Sequence, residues 1–201
     1  MNKETLGNPK KQTMLLCSII LPLAIFTSQC AVAFAPATES DALTKAKQFN
    51  MYCNEELPPE VEKFTIEFNY PEEPATAPKH QTSYFIVSCA VGAYNSNSVL
   101  LVDDASEGLK AVSLALPLVQ EKTKKIIGWI ADVVLPGMGY DPKTKTITSF
   151  AKGRRIRDLS QRATYIFVDG QIVLREFASD TTPDGKFNPR VIYKSTMPAV
   201  R

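Results

Sequence analysis

Apolar positions from Phe64 onward follow β patterns rather than helical ones. Phe64, Ile66, Phe68 and Tyr70 alternate with polar residues, which is the period-two pattern of a half-buried strand. Other β-prone runs predict strands at residues 84–91, 99–102, 109–116, 126–135, 146–150 and 190–194. The polar stretch 120–125 between two of these runs is compatible with a loop or with one or two turns of helix.

A hairpin is the clearest local prediction. Residues 165–168 and 171–174 are β-prone, and Asp169-Gly170 between them suits the two positive-φ positions of a type I′ turn. Turn residues also occur at Asn95-Ser96-Asn97 and at Asp103-Asp104 before Gly108.

A short helix is predicted before the first strand. Ser40 is its predicted N-cap, Ala46 and Phe49 form its apolar side, and it ends near Asn50. Residues 70–78 contain three prolines, which exclude helix and sheet interior and predict an extended linker or long loop.

These elements predict an all-β fold, mainly antiparallel sheet with hairpins, plus one short N-terminal helix. The predicted organisation has three parts. Residues 1–33, or up to 35, are a signal peptide; residues 34–83 hold the helix, a strand and the proline-rich segment; residues 84–201 form a β-rich domain.

The predicted signal peptide has the usual three regions. Lys3, Lys10 and Lys11 precede an apolar segment at 14–26, and two overlapping Ala-x-Ala triplets follow at 31–35. The second triplet is followed by proline, which favours cleavage before Phe34. We therefore expect a periplasmic protein with no membrane span after cleavage.

Two other interpretations of this segment stay open. A membrane anchor would need about 20 apolar residues, but Pro22 and the polar residues 27–29 interrupt the run. A lipid anchor at Cys30 would require a leucine and a small residue ahead of it, and Thr27-Ser28-Gln29 do not supply them.

The mature chain is formally neutral but unevenly charged. Residues 34–109 carry 12 acidic and 4 basic side chains, whereas residues 110–201 carry 16 basic and 8 acidic ones. Such halves more often complement each other or solvate two faces than bind nucleic acid, so no nucleic-acid partner is expected.

Two cysteines, Cys53 and Cys89, remain after cleavage, and an even pair in an oxidising compartment favours a disulfide. The chain-entropy relation gives about 4 kcal/mol for a loop of this length. A reactive thiol or a metal ligand are the alternatives, but neither cysteine lies in a CxxC pair and the chain has one histidine.

Catalytic motifs are absent from the sequence. Gly137-Met138-Gly139 departs from the dinucleotide fingerprint because Pro142 stands where the third glycine belongs. His80 falls in the proline-rich segment and is interpreted as solvated rather than catalytic. We expect no cofactor and no metal.

Acidic pairs support two weaker hypotheses. Asp180 to Gly185 resembles the start of a calcium loop, but position 12 is Val191 instead of glutamate, which favours a polar turn. Asp103, Asp104 or Asp158 are the candidate acid and base of a carboxylate-dependent hydrolase. Adjacent carboxylates on a strand point to opposite faces, which disfavours the first pair unless it lies in a turn.

The densest basic cluster consists of Lys152, Arg154, Arg155, Arg157 and Arg162. These side chains suit an anionic envelope component or an acidic partner through charge-assisted hydrogen bonds. The alternative interpretation is a solvated face, or the counterpart of the acidic half.

Three stretches together resemble a known family. They are Cys89 to Asn95, including Gly92 and Tyr94; Tyr140-Asp141-Pro142 leading to Lys152-Gly153-Arg154; and the Asp169-Gly170 hairpin continuing to Lys194. Over residues 89–195 the order and spacing resemble the exported bacterial family known as domain of unknown function 1176. The resemblance implies an exported, β-rich, disulfide-containing protein of Gram-negative bacteria, and it implies no known reaction.

The chain also departs from that family. Asp158 matches the family's Gly-Asp-Cys-Gly segment, but the cysteine after it and the later cysteine are both missing, so a second disulfide is not expected. Ile166 and Val168 stand where the family usually has tryptophan. A more distant similarity to β-repeat lysozyme inhibitors rests on the Tyr-Asp-Pro and Asp-Gly turns.

The expected function is that of a non-catalytic binding or envelope-associated module whose partner is an envelope component or a secreted protein. A lysozyme-inhibitor-like protein that binds a secreted muramidase is the first alternative. The carboxylate-dependent hydrolase is the second.

Overall fold

The computed structural model describes residues 35–54, 58–91, 95–120, 122–152, 160–180 and 188–197. Within them the chain forms one α-helix, one short 3₁₀ helix (Met51–Asn54) and twelve strands. In chain order the remaining elements are α1 (Glu39–Ala46), β1 (Glu60–Phe68), β2 (His80–Val91), β3 (Asn95–Asp104), β4 (Gly108–Ala111), β5 (Leu114–Val119), β6 (Ile126–Asp132), β7 (Val134–Pro136), β8 (Met138–Asp141), β9 (Thr146–Lys152), β10 (Ser160–Val168), β11 (Gln171–Asp180) and β12 (Arg190–Lys194). The predicted fold class, mainly antiparallel β with a short N-terminal helix, is confirmed.

Two antiparallel sheets and a separate two-stranded ribbon make up the β structure. The first sheet has the order β1-β2-β3-β4, with β7 added beside β3. The second sheet has the order β12-β11-β10-β9-β8, and β5 pairs with β6 in the ribbon. Except for the β3–β7 pair, every paired strand neighbours its partner along the chain.

The predicted Asp-Gly hairpin joins β10 to β11. Asp169 and Gly170 have φ angles of 48° and 76°, as a type I′ turn requires. A Cβ added to Gly170 would lie 2.7 Å from the Phe68 ring, so this position also needs glycine because the first sheet packs against the turn.

The two sheets face each other across the main core. Phe64 and Tyr84 of the first sheet contact Phe167 of the second, at ring-centroid distances of 6.2 and 5.2 Å. The period-two pattern of β1 puts Phe64, Ile66 and Phe68 on this inner face, as predicted, whereas Tyr70 lies beyond the strand and is exposed.

A second core covers the opposite face of the first sheet. Phe85, Val87 and Leu101 point outward there and are fully buried beneath α1, whose Ala42 and Ala46 supply the contact face. The Cys53–Cys89 disulfide lies in the same cluster and fixes the 3₁₀ helix to β2, which confirms the predicted pair. The molecule therefore has three layers, helix on sheet on sheet.

Thr38, and not Ser40, is the N-cap of α1. The Asp41 backbone N–H donates to Thr38 Oγ1, and Asp41 Oδ2 accepts from the Thr38 N–H, which completes a capping box. Asp41 occupies the third helical position only when the cap is Thr38, and this explains why Ser40 is the wrong choice. Phe49 follows the helix and is exposed.

The proline-rich segment is a folded loop rather than an extended linker. Two i to i+3 backbone bonds close turns at Tyr70–Glu73 and Pro74–Ala77. The predicted division after residue 83 falls within β2, where Ser83 and Tyr84 both pair with β1.

A sharp corner carries the chain from the first sheet into the second. Gly137, with φ 51°, separates β7 from β8, and an added Cβ would lie 2.7 Å from the Phe150 carbonyl oxygen. Its N–H donates to the Ser96 carbonyl, and Ser149 Oγ donates to the Pro136 carbonyl. The corner thereby bonds to both sheets.

Several predicted boundaries were wrong. Asn95-Ser96-Asn97 is paired strand at the start of β3 and not a turn. The run 109–116 is split between β4 and β5, and the run 126–135 between β6 and β7. In both cases the chain leaves one sheet at the break, which a continuous apolar run does not indicate.

Candidate functional site: an exposed apolar ribbon

The β5–β6 ribbon is an antiparallel hairpin that lies beside the sandwich. The segment 120–125 at its tip is closed by backbone bonds from Gln120 N–H to the Lys125 carbonyl and from Lys124 N–H to the Gln120 carbonyl. Thr123 Oγ1 donates to Gln120 Oε1 at 2.6 Å. The polar stretch is therefore a hairpin loop, which settles the choice that the sequence left open.

The β5 strand of the ribbon packs against the sandwich along its length. Leu114 is buried in the main core, and Leu116 and Val119 are half-buried beside it. The Tyr165 hydroxyl donates to the Ala115 carbonyl at 3.2 Å, and burial raises the pKa of Tyr165, which keeps that proton in place. These contacts fix the ribbon at its β5 side.

The β6 side of the ribbon carries large apolar side chains into solvent. On β6, Ile127 is 68% exposed, Trp129 49% and Ile130 42%, and Leu118 near the end of β5 is 42% exposed. Within the described part of the chain, the aromatic contact of Trp129 is an edge contact with Tyr193 of β12 at 5.1 Å. Several large apolar side chains exposed within one short hairpin are typical of a contact surface.

The exposed side chains lie on both faces of the ribbon. Trp129 is paired with Pro117, whereas Ile130 is paired with Leu116 and Gly128 with Leu118. Because paired residues share a face and successive residues alternate, Trp129 points to one face and Ile130 and Leu118 to the other. Ile127 is the extra residue of a bulge in β6.

Three lysines extend the apolar surface with positive charge. Lys122, Lys124 and Lys125 lie at the tip and are exposed. None of the ion pairs found among the described residues involves them. The ribbon thus combines aliphatic, aromatic and ammonium groups within one hairpin.

The predicted basic cluster is described only in part. Arg162 of β10 pairs with Glu176 of β11 at 3.2 Å, and Lys152 lies over the Phe150 ring at 6.0 Å. Both lie near the same end of the second sheet, because Ser160 pairs with Lys152 and Phe150 with Arg162. Arg154, Arg155 and Arg157 lie outside the described residues.

Asp103 and Asp104, the described carboxylates of the hydrolase hypothesis, bond to different parts of the chain. Asp103 Oδ2 accepts the Ala37 N–H at 2.8 Å, whereas Asp104, the last residue of β3, accepts from the hydroxyl and N–H of Ser106 in the turn that follows. These bonds, with a further one from Lys110, hold the Asp104 pKa well below its usual range. Asp158 lies outside the described residues.

His80 is the first residue of β2 rather than part of the proline-rich segment, and it is exposed to solvent as predicted. Its Nε2 lies 2.7 Å from Glu73 Oε1, and its ring lies 5.6 Å from the Phe68 ring and 5.0 Å from the Tyr70 ring. The hydrogen bond with His80 lowers the pKa of Glu73. The pair links the proline-rich loop to the sheet.

Asp180, the first residue of the candidate calcium loop, is the last residue of β11. Asp180 is buried and accepts the Asn188 N–H at 2.7 Å, while residues 181–187 lie outside the described part of the chain. Among the residues that the structure describes, no group of three His, Cys, Asp or Glu side chains could hold a metal ion.

The residues of the family resemblance take structural positions where they are described. Tyr140 stacks on Phe64 at 3.9 Å, and Asp141 accepts from Lys143 N–H and Thr144 Oγ1 in the turn that Pro142 begins. Asn95 begins β3, and Asp169-Gly170 forms the hairpin turn. The remaining positions, Gly92, Tyr94, Gly153 and Asp158, lie outside the described residues.

Comparisons of the chain with protein-family models, with curated proteins and with solved structures give no match. The resemblance to the domain of unknown function 1176 therefore stays a prediction. In the described ranges, no helix has the length and apolar character needed to cross a membrane.

Sequence reasoning predicted a strand at Trp129 but not its exposure. A continuous apolar run is also typical of a strand buried on both faces, so the run itself does not distinguish the two. The useful signal was the Lys122-Thr123-Lys124-Lys125 stretch directly before it, together with the only tryptophan of the chain.

Proposed function

We propose that the protein is an exported, non-catalytic binding module that contacts an envelope component through the β5–β6 ribbon. The exposure of Ile127, Trp129 and Ile130 carries this proposal, because three large apolar side chains exposed on one short strand are typical of a contact surface.

Other features support export and a binding role. The Cys53–Cys89 disulfide lies within a buried cluster, and structural disulfides persist in oxidising compartments such as the periplasm. The described carboxylates considered for acid–base chemistry, Asp103 and Asp104, are occupied by bonds to backbone and turn groups.

Export is tested by the intact mass and free-thiol count of protein purified from the periplasm. We expect a chain that starts at Phe34 or Pro36, weighs two hydrogens less than its reduced form and has no free thiol. A retained N-terminus or two free thiols would contradict the proposed compartment.

Binding is tested by co-sedimentation with isolated envelope membranes. We expect Ile127→Asp to reduce the bound fraction by about tenfold, because it replaces an apolar contact with a charge. Met51→Asp is the matched control, since Met51 is 74% exposed and lies on the 3₁₀ helix beside β2. Equal binding by both variants would exclude the ribbon as the contact surface.

A further inference from the structure

We infer that the partner of the ribbon is the surface of an anionic phospholipid bilayer. This inference rests on the proposed function and adds the chemistry of the partner. It follows from three features of the ribbon: the arrangement of its apolar side chains, the charge at its tip and its unpaired strand edge.

The apolar side chains favour a partner that receives an edge of the ribbon. β5 packs against the main core through Leu114 and Leu116, so the exposed apolar side chains of β6, among them Ile127 and Trp129, form the outer edge of the ribbon. The headgroup region of a bilayer accommodates a strand edge with apolar side chains, and tryptophan favours that region.

The tip charge specifies the sign of the bilayer. Residues 120–127 contain Lys122, Lys124 and Lys125 against a single acid, Glu121, which gives a net charge of +2. The three lysines directly precede the apolar strand, so one docking surface would hold ammonium groups beside lipid phosphates and aliphatic groups beside the acyl chains. Each lysine near an anionic surface strengthens binding by about fivefold.

The unpaired edge of β6 limits how deeply the ribbon enters the bilayer. Within the described part of the chain, β6 pairs with β5 alone, so its outer backbone groups have no strand partner. Such groups are too costly to place in hydrocarbon. The ribbon therefore lies in the headgroup region, where water and phosphate satisfy the backbone, and the side chains of Ile127 and Trp129 reach inward.

Trp129 provides the readout, because it is the only tryptophan of the chain and lies within the docking surface. The experiment titrates the mature protein with phosphatidylglycerol-containing vesicles and with pure phosphatidylcholine vesicles, while tryptophan emission is recorded. We expect a blue shift with the anionic vesicles, a much weaker one with the neutral vesicles, and loss of binding as salt shortens the screening length below about 10 Å.

Two pairs of lysines allow a matched comparison. Lys122 and Lys124 at the ribbon tip have the same spacing as Lys143 and Lys145 in the β8–β9 turn, and Lys124 and Lys145 have similar φ angles of 56° and 51°. We expect the double glutamine variant of the first pair to lose about fivefold in vesicle affinity per lysine, and that of the second pair to lose none. Neither change removes a buried group.

Three results would overturn the inference. Equal losses in both double variants would show that net charge acts and not the ribbon. A blue shift that grows with protein concentration without lipid, together with a dimer in sedimentation, would assign β6 to pairing with a second copy. Binding to envelope membranes without binding to anionic vesicles would refute the lipid partner and leave the proposed function standing, whereas failure of both would refute both.

Discussion

The outer face of the first sheet and the β5–β6 ribbon begin from similar sequences and end in opposite surroundings. Phe85, Val87 and Leu101 on the outer face are fully buried because α1 and the disulfide cover them. Ile127 and Trp129 on the ribbon stay largely exposed, and the Tyr193 ring of β12 contacts Trp129 only at an edge. An apolar strand is therefore buried only when a distant part of the chain covers it, and the uncovered strand is the one available for binding.

Removal of the disulfide should have the largest effect on stability. The bond lies beneath α1 and closes a loop with a sequence separation of 36, so replacing both cysteines with alanine should lower the free energy of unfolding by about 4 kcal/mol. Urea unfolding of the variant and of the oxidised protein measures this difference. A loss below about 1 kcal/mol would show that α1 covers the sheet without the cross-link.

Leu101→Ala should cost about 3 kcal/mol. Leu101 of β3 is fully buried in the core beneath α1. Its truncation leaves a cavity that the sheet cannot close. Chemical denaturation gives the number, and Leu118→Ala on the ribbon is the comparison. Similar losses at the two positions would mean that the ribbon is covered in solution.

Gly170→Ala and Lys124→Gly compare the stability of a packed hairpin turn with that of the exposed ribbon tip. A Cβ at position 170 would lie 2.7 Å from the Phe68 ring at a φ of 76°, so we expect a loss of about 2 kcal/mol in the free energy of unfolding. Lys124→Gly at the uncovered ribbon tip should leave stability unchanged or slightly raise it, because it relieves a positive φ. Thermal unfolding of both variants decides this, and a stabilised Gly170→Ala would contradict the described packing.

Acid should lower the free energy of unfolding through Asp104, the last residue of β3. Hydrogen bonds from Ser106 and Lys110 lower the pKa of Asp104 in the folded protein. A lowered folded-state pKa stabilises the protein above the unfolded pKa of about 3.9, and this contribution is lost as the pH falls further. Asp104→Asn should therefore be less stable than the natural protein at pH 7, and the difference should shrink below about pH 4. A pH-independent difference would contradict the ion-pair geometry.

Ile127→Asp should have the smallest effect on stability, within about 0.5 kcal/mol of the natural protein, since the side chain is already in water. The same denaturation curves test this. A loss above about 2 kcal/mol would mean that Ile127 contributes to the core, and would remove the basis for a ribbon that serves binding.

Local patterns allowed much of the fold to be predicted. The alternation at Phe64 and Ile66 and the Asp169-Gly170 turn act through nearest neighbours, so the sequence carries their physical cause directly. Cys53 and Cys89 were predicted as a pair because they are the two cysteines that remain after the predicted cleavage. The break between β6 and β7 and the entry of Met138 into a second sheet depend on which distant strand accepts the chain, and no local pattern contains that information.

The same limit applies to the candidate site. The basic cluster was predicted from density of charge, but Arg162 is paired with Glu176 across the hairpin. Trp129 was predicted as a strand residue, and only the absence of a covering element within the described chain makes it a candidate contact. Coverage is a property of the whole chain, which explains why sequence reasoning missed it.

The Gly137 corner also has a consequence for the order of folding events. Each sheet is otherwise a meander of strands that are consecutive in the chain, and consecutive strands pair quickly because little chain must be closed. The β3–β7 ladder, in which Ser98 meets Leu135, is the exception. We therefore expect the two meanders to acquire their own pairing early, and the corner to form late, in the step that commits both sheets to a single cooperative unit.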